Sequence, residues 1–160
     1  MNNLLELLTE NARLTNAQLA VMLGSSEEDV AAAIQQYEKS GVIKGYKALV
    51  DWDKAPQKTV SALIELKVTP QKETGFDEIA RRVTMFEEVE SVYLMAGGYD
   101  LAVMVKAPSM QEVSTFVAKR LSTLEPVQST ATHFVMTRYK DGGVALCDDT
   151  EVDERRNVLL

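Results

Sequence analysis

Apolar residues in the first fifty positions recur at helical spacing and are punctuated by capping residues. Leu4, Leu5, Leu7 and Leu8 define a short first helix. Thr15 followed three residues later by Gln18 forms a capping box ahead of Leu19, Ala20, Met22 and Leu23, so a second helix is expected over 16–23, ended by Gly24. Ser25 with Glu28, or Ser26 with Asp29, caps a third helix whose buried stripe is Val30, Ala33, Ile34 and Tyr37. Gly41 stands where a left-handed terminating residue belongs. Two helices joined by a short turn containing Gly make a helix-turn-helix, and 42–50 reads as a strand leaving it.

Beyond residue 59 the period changes from helical to alternating. The stretch 60–68 is a strand, 74–86 a helix with the stripe Phe76, Ile79, Ala80, Val83 and Phe86, and 89–96 a strand. The pattern repeats: 101–106 is a strand, Ser109 and Glu112 cap a helix carrying Met110, Val113, Phe116, Val117, Leu121 and Leu124 inward, and 128–138 is the last strand. Strand-helix-strand taken twice gives βαββαβ, the ferredoxin-like unit. The fold class is therefore α+β, with an N-terminal helix-turn-helix (winged-helix-like) domain at 1–50, a linker at 51–59 and a ferredoxin-like domain at 60–140.

Two helices can cover only one face of the expected sheet. Val60, Ala62, Ile64, Leu66 and Val68 belong under the helices, while Leu63, Tyr93, Met95, Met104, Phe134 and Met136 are assigned to the opposite face. An apolar face of that size calls for a second copy of the chain, giving a homodimer. The alternative is that linker and tail fold across it.

Composition and charge narrow the function. The chain has 160 residues, 46% hydrophobic and 26% charged, with a formal net charge of -7. Acidity of this degree excludes nucleic-acid binding through overall charge, because such binding depends on Lys and Arg displacing counterions. Any DNA contact has to be local. The tail at 141–160 contributes six acidic side chains against two basic ones, a composition suited to solvated or loosely attached chain with no core role. Cys147 is the single cysteine, no leading segment has the make-up of a signal peptide and no apolar run is long enough to span a bilayer. A cytoplasmic location without membrane association is the expectation.

Three stretches give the chain a specific resemblance: Asn11-Ala12-Arg13-Leu14-Thr15-Asn16-Ala17-Gln18-Leu19-Ala20, Gly41-Val42-Ile43-Lys44-Gly45-Tyr46, and Gly97-Gly98-Tyr99-Asp100. With the domain order, they make residues 3–140 resemble the Lrp/AsnC, or feast/famine, transcriptional regulators. The resemblance implies promoter DNA bound by the N-terminal domain, small molecules such as amino acids sensed by the C-terminal domain, and a dimer or octamer. It also implies an effector site between dimers beside the turn 97–100, with hydroxyls of Thr130 and Thr132 contributed from across the cleft. The chain departs from the family in two respects. Ala31, Ala32, Ala33, Gln35 and Gln36 stand where members commonly carry Arg or Lys, and the lead before the first helix is short.

The residues themselves offer a DNA-facing set. Gln35 and Gln36 can make bidentate contacts to adenine, Ser25 and Ser26 can meet phosphates, and Lys39, Lys44 and Lys47 follow just beyond the third helix. The alternative leaves Glu27, Glu28 and Asp29 as favourable charges at a helix start and the glutamines as a solvated face. At Gly97-Gly98-Tyr99-Asp100, the glycines remove side chains, consecutive amides can meet a carboxylate and Asp100 can accept from an ammonium, which suits a free amino acid. The alternative there is a plain hairpin in which Gly supplies an unusual backbone angle and Asp100 caps the turn.

Catalytic candidates are sparse. His133 is the only histidine and lies in a strand; with one Cys and one His, neither a zinc set nor a Cys-His pair can be built from one chain. There is no GxGxxG or P-loop spacing, and the methionines suit adaptable packing. No cofactor, no metal and no catalytic residue is expected. Two alternatives to a DNA-binding regulator remain: an amino-acid-sensing or protein-interaction module of the same fold with weak or lost DNA binding, and an enzyme like relatives of similar shape that decarboxylate sirohaem, anchored on His133.

Overall fold

The computed structural model describes residues 4–70 and 75–146, and the chain divides into two compact units, 1–49 and 50–160. In the first unit, α1 spans Leu4–Glu10, α2 Asn16–Leu23 and α3 Glu27–Lys39. Thr15 Oγ1 accepts the Gln18 amide at 3.2 Å while Gln18 Oε1 accepts the Thr15 amide at 2.9 Å, completing the capping box. Of the two candidate caps for α3, Ser26 is the one used: its Oγ accepts the Asp29 amide at 3.1 Å. Leu4, Leu7 and Leu8 pack against Leu19, Ala20 and Val30, with Ile34, Tyr37 and Ile43 at the margin.

Gly24 and Gly41 both adopt left-handed backbone, at φ 65° and 73°. After Gly41 the Ile43 amide bonds back to the Tyr37 carbonyl at 3.1 Å, which turns Ile43 onto the core. Gly41→Ala forces a Cβ into that conformation and is expected to cost about 1 kcal/mol of stability in this unit. Denaturant titration followed by helical circular dichroism measures it.

Residues 42–50 depart from the expected strand. They form no ladder with any described segment, and Val42, Tyr46 and Leu49 are 56%, 52% and 44% exposed. A strand requires a hydrogen-bonding neighbour as well as alternating side chains, and none is supplied among the described residues.

The second unit holds a four-stranded antiparallel sheet built from β1 (Val60–Val68), β2 (Val89–Leu94), β3 (Leu101–Ala107) and β4 (Val127–Phe134), in the order β2-β3-β1-β4. Helices α4 (Asp77–Thr84) and α5 (Met110–Phe116) bury Ile79, Val83, Val113 and Phe116 against Ala62, Ile64, Leu66, Leu101, Val103 and Val105. This is the expected α+β arrangement of the C-terminal domain.

Both helices are shorter than their apolar stripes suggest. Thr74, where the first was expected to begin, lies outside the described residues; Phe76 caps α4 and Phe86 follows it, and both pack on the core. Helix α5 passes into a π-helical turn over Val117–Leu121. A wider turn rotates its residues about the helix axis relative to regular α-helical spacing, so Leu121 is fully buried while Arg120 stays at the margin. There its guanidinium lies 4.4 Å from the Phe86 ring centre and 2.7 Å from Glu88 Oε1. Phe86 and Phe116 meet edge-to-face with centroids 5.4 Å apart.

On the sheet face away from the helices lie Leu63, Met104 and Tyr93, with Glu65, His133 and Lys106. Phe134, expected on this face, is on the other: it stands opposite Ala62 and packs on the helix-covered core. A one-residue difference in register exchanges the faces of a strand, and the apolar pattern at the end of β4 does not fix it. Met136 falls beyond β4 and is 83% exposed.

Part of the open face is covered from within the unit, by Trp52 of the linker and by Arg138 beyond β4. Lys106 Nζ lies 3.1 Å from the Trp52 ring centre, and Arg138 donates to Ser61 Oγ at 2.9 Å. Residues expected as loose tail contribute a small hairpin, β5 (Lys140–Asp141) with β6 (Val144–Ala145), turned by Gly142 and Gly143 at φ 51° and 85°. The remainder of the acidic tail, 147–160 with Cys147, lies outside the described residues.

Candidate functional site

Helix α3 inserts Val30, Ala33, Ile34 and Tyr37 into its unit, and at about 100° per residue the opposite row is Glu28, Ala32, Gln35 and Lys39. All four are exposed, as are Ser25, Ser26, Gln36, Lys44 and Lys47. The structure therefore gathers Gln35, Gln36 and Lys39 on or beside one helical face and leaves Lys44 and Lys47 on the irregular segment after it. Ser26 is already engaged, since its hydroxyl donates to Asp29 Oδ2 at 2.7 Å as well as capping the helix.

The acidic groups of α3 are not equivalent. Asp29 belongs to the cap, and Glu38 accepts the Tyr46 hydroxyl at 3.0 Å. Desolvation first, then the Glu38 hydrogen bond and charge, raise the Tyr46 pKa above the ordinary phenol value, so the hydroxyl stays a donor. Arg13, exposed in the turn before α2, adds a cation to this unit that the reading of α3 alone did not include. Its position two residues before the Thr15 cap was the available signal.

The turn at 97–100 joins β2 to β3. The Met95 amide bonds to the Asp100 carbonyl at 2.8 Å, the Asp100 amide to the Leu66 carbonyl at 3.0 Å, and Asp100 Oδ2 accepts the Val68 amide at 2.8 Å. Asp100 thus ties the turn to the end of β1, where the pairing with β4 is bulged. Gly97 and Gly98 are exposed, neither has a left-handed φ, and a Cβ built on either meets nothing within 4 Å. Backbone geometry consequently does not require glycine here, while Asp100 does cap the turn as the plain-hairpin alternative has it. Tyr99 is half-buried beside Asp100.

Thr130 and Thr132 are half-buried on β4, opposite Leu66 and Ile64 and therefore on the helix-covered side. Thr130 Oγ1 lies 3.5 Å from Ser122 Oγ, just past the π turn. Leu101, Leu66 and Thr130 form one row across the sheet, so Thr130 shares the sheet end with the turn but is two strand spacings, about 10 Å, away. Within one chain β1 therefore stands between Thr130 and the strand that carries the turn.

His133 is on the open face, with Nε2 3.3 Å from Glu65 Oε1. Among the described residues no group of three or more His, Cys, Asp or Glu side chains could hold a metal ion, and no helix is long and apolar enough to cross a membrane.

Comparison with known proteins places both units. Residues 2–44 match the family model of a winged helix-turn-helix DNA-binding domain, and residues 61–145 that of the Lrp/AsnC ligand binding domain. The HTH-type transcriptional regulator YugG of Bacillus subtilis, itself uncharacterised, is 44% identical over 157 residues, covering 98% of this chain and 93% of its own. The proline dehydrogenase transcriptional activator of Rhizobium radiobacter is 26% identical over 141 residues, 88% of this chain and 90% of its own. Among solved structures, a Neisseria meningitidis transcriptional regulator in complex with L-Met is similar at a TM-score of 0.70 and 26% identity, over 86% of this chain and 88% of that one.

Proposed function

Since the chain belongs to the Lrp/AsnC family of transcriptional regulators, we propose that its grip on promoter DNA is set by a free amino acid at the turn Gly97-Gly98-Tyr99-Asp100. It is a regulator with a helix-turn-helix DNA-binding domain and a ligand-binding domain. The DNA-facing set is Ser25, Gln35, Gln36, Lys39, Lys44 and Lys47, with Ser26 shaping the start of α3. The effector meets the turn amides with its carboxylate, and Thr130 and Thr132 come from another copy in a dimer or octamer. The single observation that carries the effector site is the open turn, where two glycines are exposed without a conformational need for them. The L-Met complex of the Neisseria relative supports the ligand class.

An effector shifts an assembly only through unequal affinity for its two states, so regulation follows from one arrangement of copies holding the amino acid better than the other. The relatives and matched domains are those of regulators, and we assign the chain no catalytic step and a cytoplasmic place of action. The sirohaem-decarboxylase reading rests on His133, which pairs with Glu65 on the open sheet face and has no second histidine to work with.

Retention of promoter DNA at low and moderate salt, with and without amino acids, tests this function. A sequence-specific complex that weakens with salt and responds to one amino acid is expected. Absence of a specific complex under every condition would leave the sensor module without DNA binding, the reading that the acidic start of α3 favours.

A further inference from the structure

Helix α3 presents to solvent a row at i, i+4, i+7 and i+11, namely Glu28, Ala32, Gln35 and Lys39, diametrically opposite its buried stripe. Among the described residues, Asp29 is held by the Ser26 cap and Glu38 by the Tyr46 hydroxyl, whereas no hydrogen bond or ion pair engages the Glu28 carboxylate or the Gln35 amide. Glu28 lies in the first turn of α3, and in a helix-turn-helix the N-terminal residues of the second helix meet the base edges. A carboxylate introduced into a groove walled by phosphates is repelled unless a donor receives it. Cytosine is the base whose major-groove edge offers a donor, N4-H, with no adjacent acceptor; guanine and thymine turn acceptors toward the same space.

We propose that Glu28, Ala32 and Gln35 form a base-reading row in which the Glu28 carboxylate selects cytosine, Ala32 lies against a thymine methyl and the Gln35 amide pairs with adenine. The proposal rests on the reading that α3 enters the major groove and adds which residues discriminate which bases. Glu28 and Gln35 are seven residues apart, about 10 Å along the helix axis, which corresponds to about three base-pair steps of roughly 3.4 Å. The cytosine and adenine positions therefore stand about three steps apart in each half-site. Lys39, at the far end of the row, meets the backbone rather than a base edge. In this arrangement the acidic residue lowers affinity for every sequence and lowers it least for the correct one, so discrimination comes from exclusion.

Selection of bound duplexes from a randomised library by the full chain, followed by sequencing, reads this directly. The unmodified chain is expected to prefer cytosine at one half-site position by roughly five- to a hundredfold. Glu28→Gln supplies a donor where only acceptors stood, so the preference at that position moves from cytosine toward adenine while binding to unselected duplexes increases. Gln35→Ala leaves the cytosine preference in place and removes the adenine preference about three steps away. A base preference that is identical in the unmodified chain and Glu28→Gln overturns the proposal and leaves DNA binding by α3 intact. Failure of the unmodified chain to enrich any sequence overturns the DNA-binding reading itself, and the base-reading row with it.

Discussion

Replacing Lys39, Lys44 and Lys47 together by Ala should lower affinity for promoter DNA on the order of a thousandfold at low salt, with the fold unchanged. The three are exposed and lie on or just after α3, outside both hydrophobic cores, so their removal leaves the packing of the unit alone. Local cations have to supply the electrostatic attraction because the chain as a whole carries -7. In a symmetric dimer the triple substitution deletes six cations, and the slope of log affinity against log salt should flatten by about five. Fluorescence anisotropy of a labelled promoter duplex across a salt series measures both quantities. Near-normal affinity with an unchanged slope would mean that the phosphate contacts lie elsewhere, with Arg13 the first place to look.

Gly97→Val is expected to weaken effector binding roughly ten- to hundredfold, enough to silence the response at concentrations that suffice for the unmodified chain, while leaving the protein about as stable as before. The backbone at Gly97 is not left-handed and a Cβ there meets nothing within 4 Å, so a side chain leaves the backbone into open space without left-handed strain. Stability should change by less than about 0.5 kcal/mol, as for an ordinary surface position. A side chain at that point denies a ligand carboxylate its approach to the turn amides. Losing a charge-assisted hydrogen bond costs about 1.5–3 kcal/mol, a ten- to hundredfold loss of effector affinity measurable by calorimetry. Asp100→Ala is the less discriminating probe, because it also strips the Val68 amide of its acceptor and so disturbs β1.

What the sequence made legible was local. The Thr15 and Ser109 caps, the Gly24 and Gly41 stops and the full extent of β1 are set by residues within a few positions of each other, and the structure shows each where the pattern puts it. Features that depend on distant partners were not legible. Phe134 is assigned to its face by pairing with Ala62, and residues 42–50 form no ladder among the described residues because pairing is not a property of the segment alone. The π turn after α5 reflects how Leu121 meets the sheet, which the apolar spacing of that helix does not encode.

The candidate sites divide in the same way. Exposure of Gln35, Gln36 and Lys39 follows from helical periodicity once the buried stripe is known, so that surface could be drawn in advance. The double engagement of Asp100 could not, since its side-chain partner Val68 is 32 residues away in sequence. Two glycines in a hairpin ordinarily signal a backbone requirement; only the observed φ values separate that from a need for open space. The acidic start of α3 was a conflict in sequence and is a division of labour in structure, with Asp29 in the cap and Glu28 outward.

The central claim is that an amino acid held at the turn 97–100 resets the assembly that grips DNA. Mass in solution, by sedimentation or light scattering of the full chain across a panel of amino acids, tests it most directly. The account predicts that one amino acid, or a chemically related few, shifts the unmodified chain between a dimer and a larger assembly and leaves Gly97→Val unmoved. A mass that no amino acid changes, or a shift that Gly97→Val undergoes equally, would contradict it.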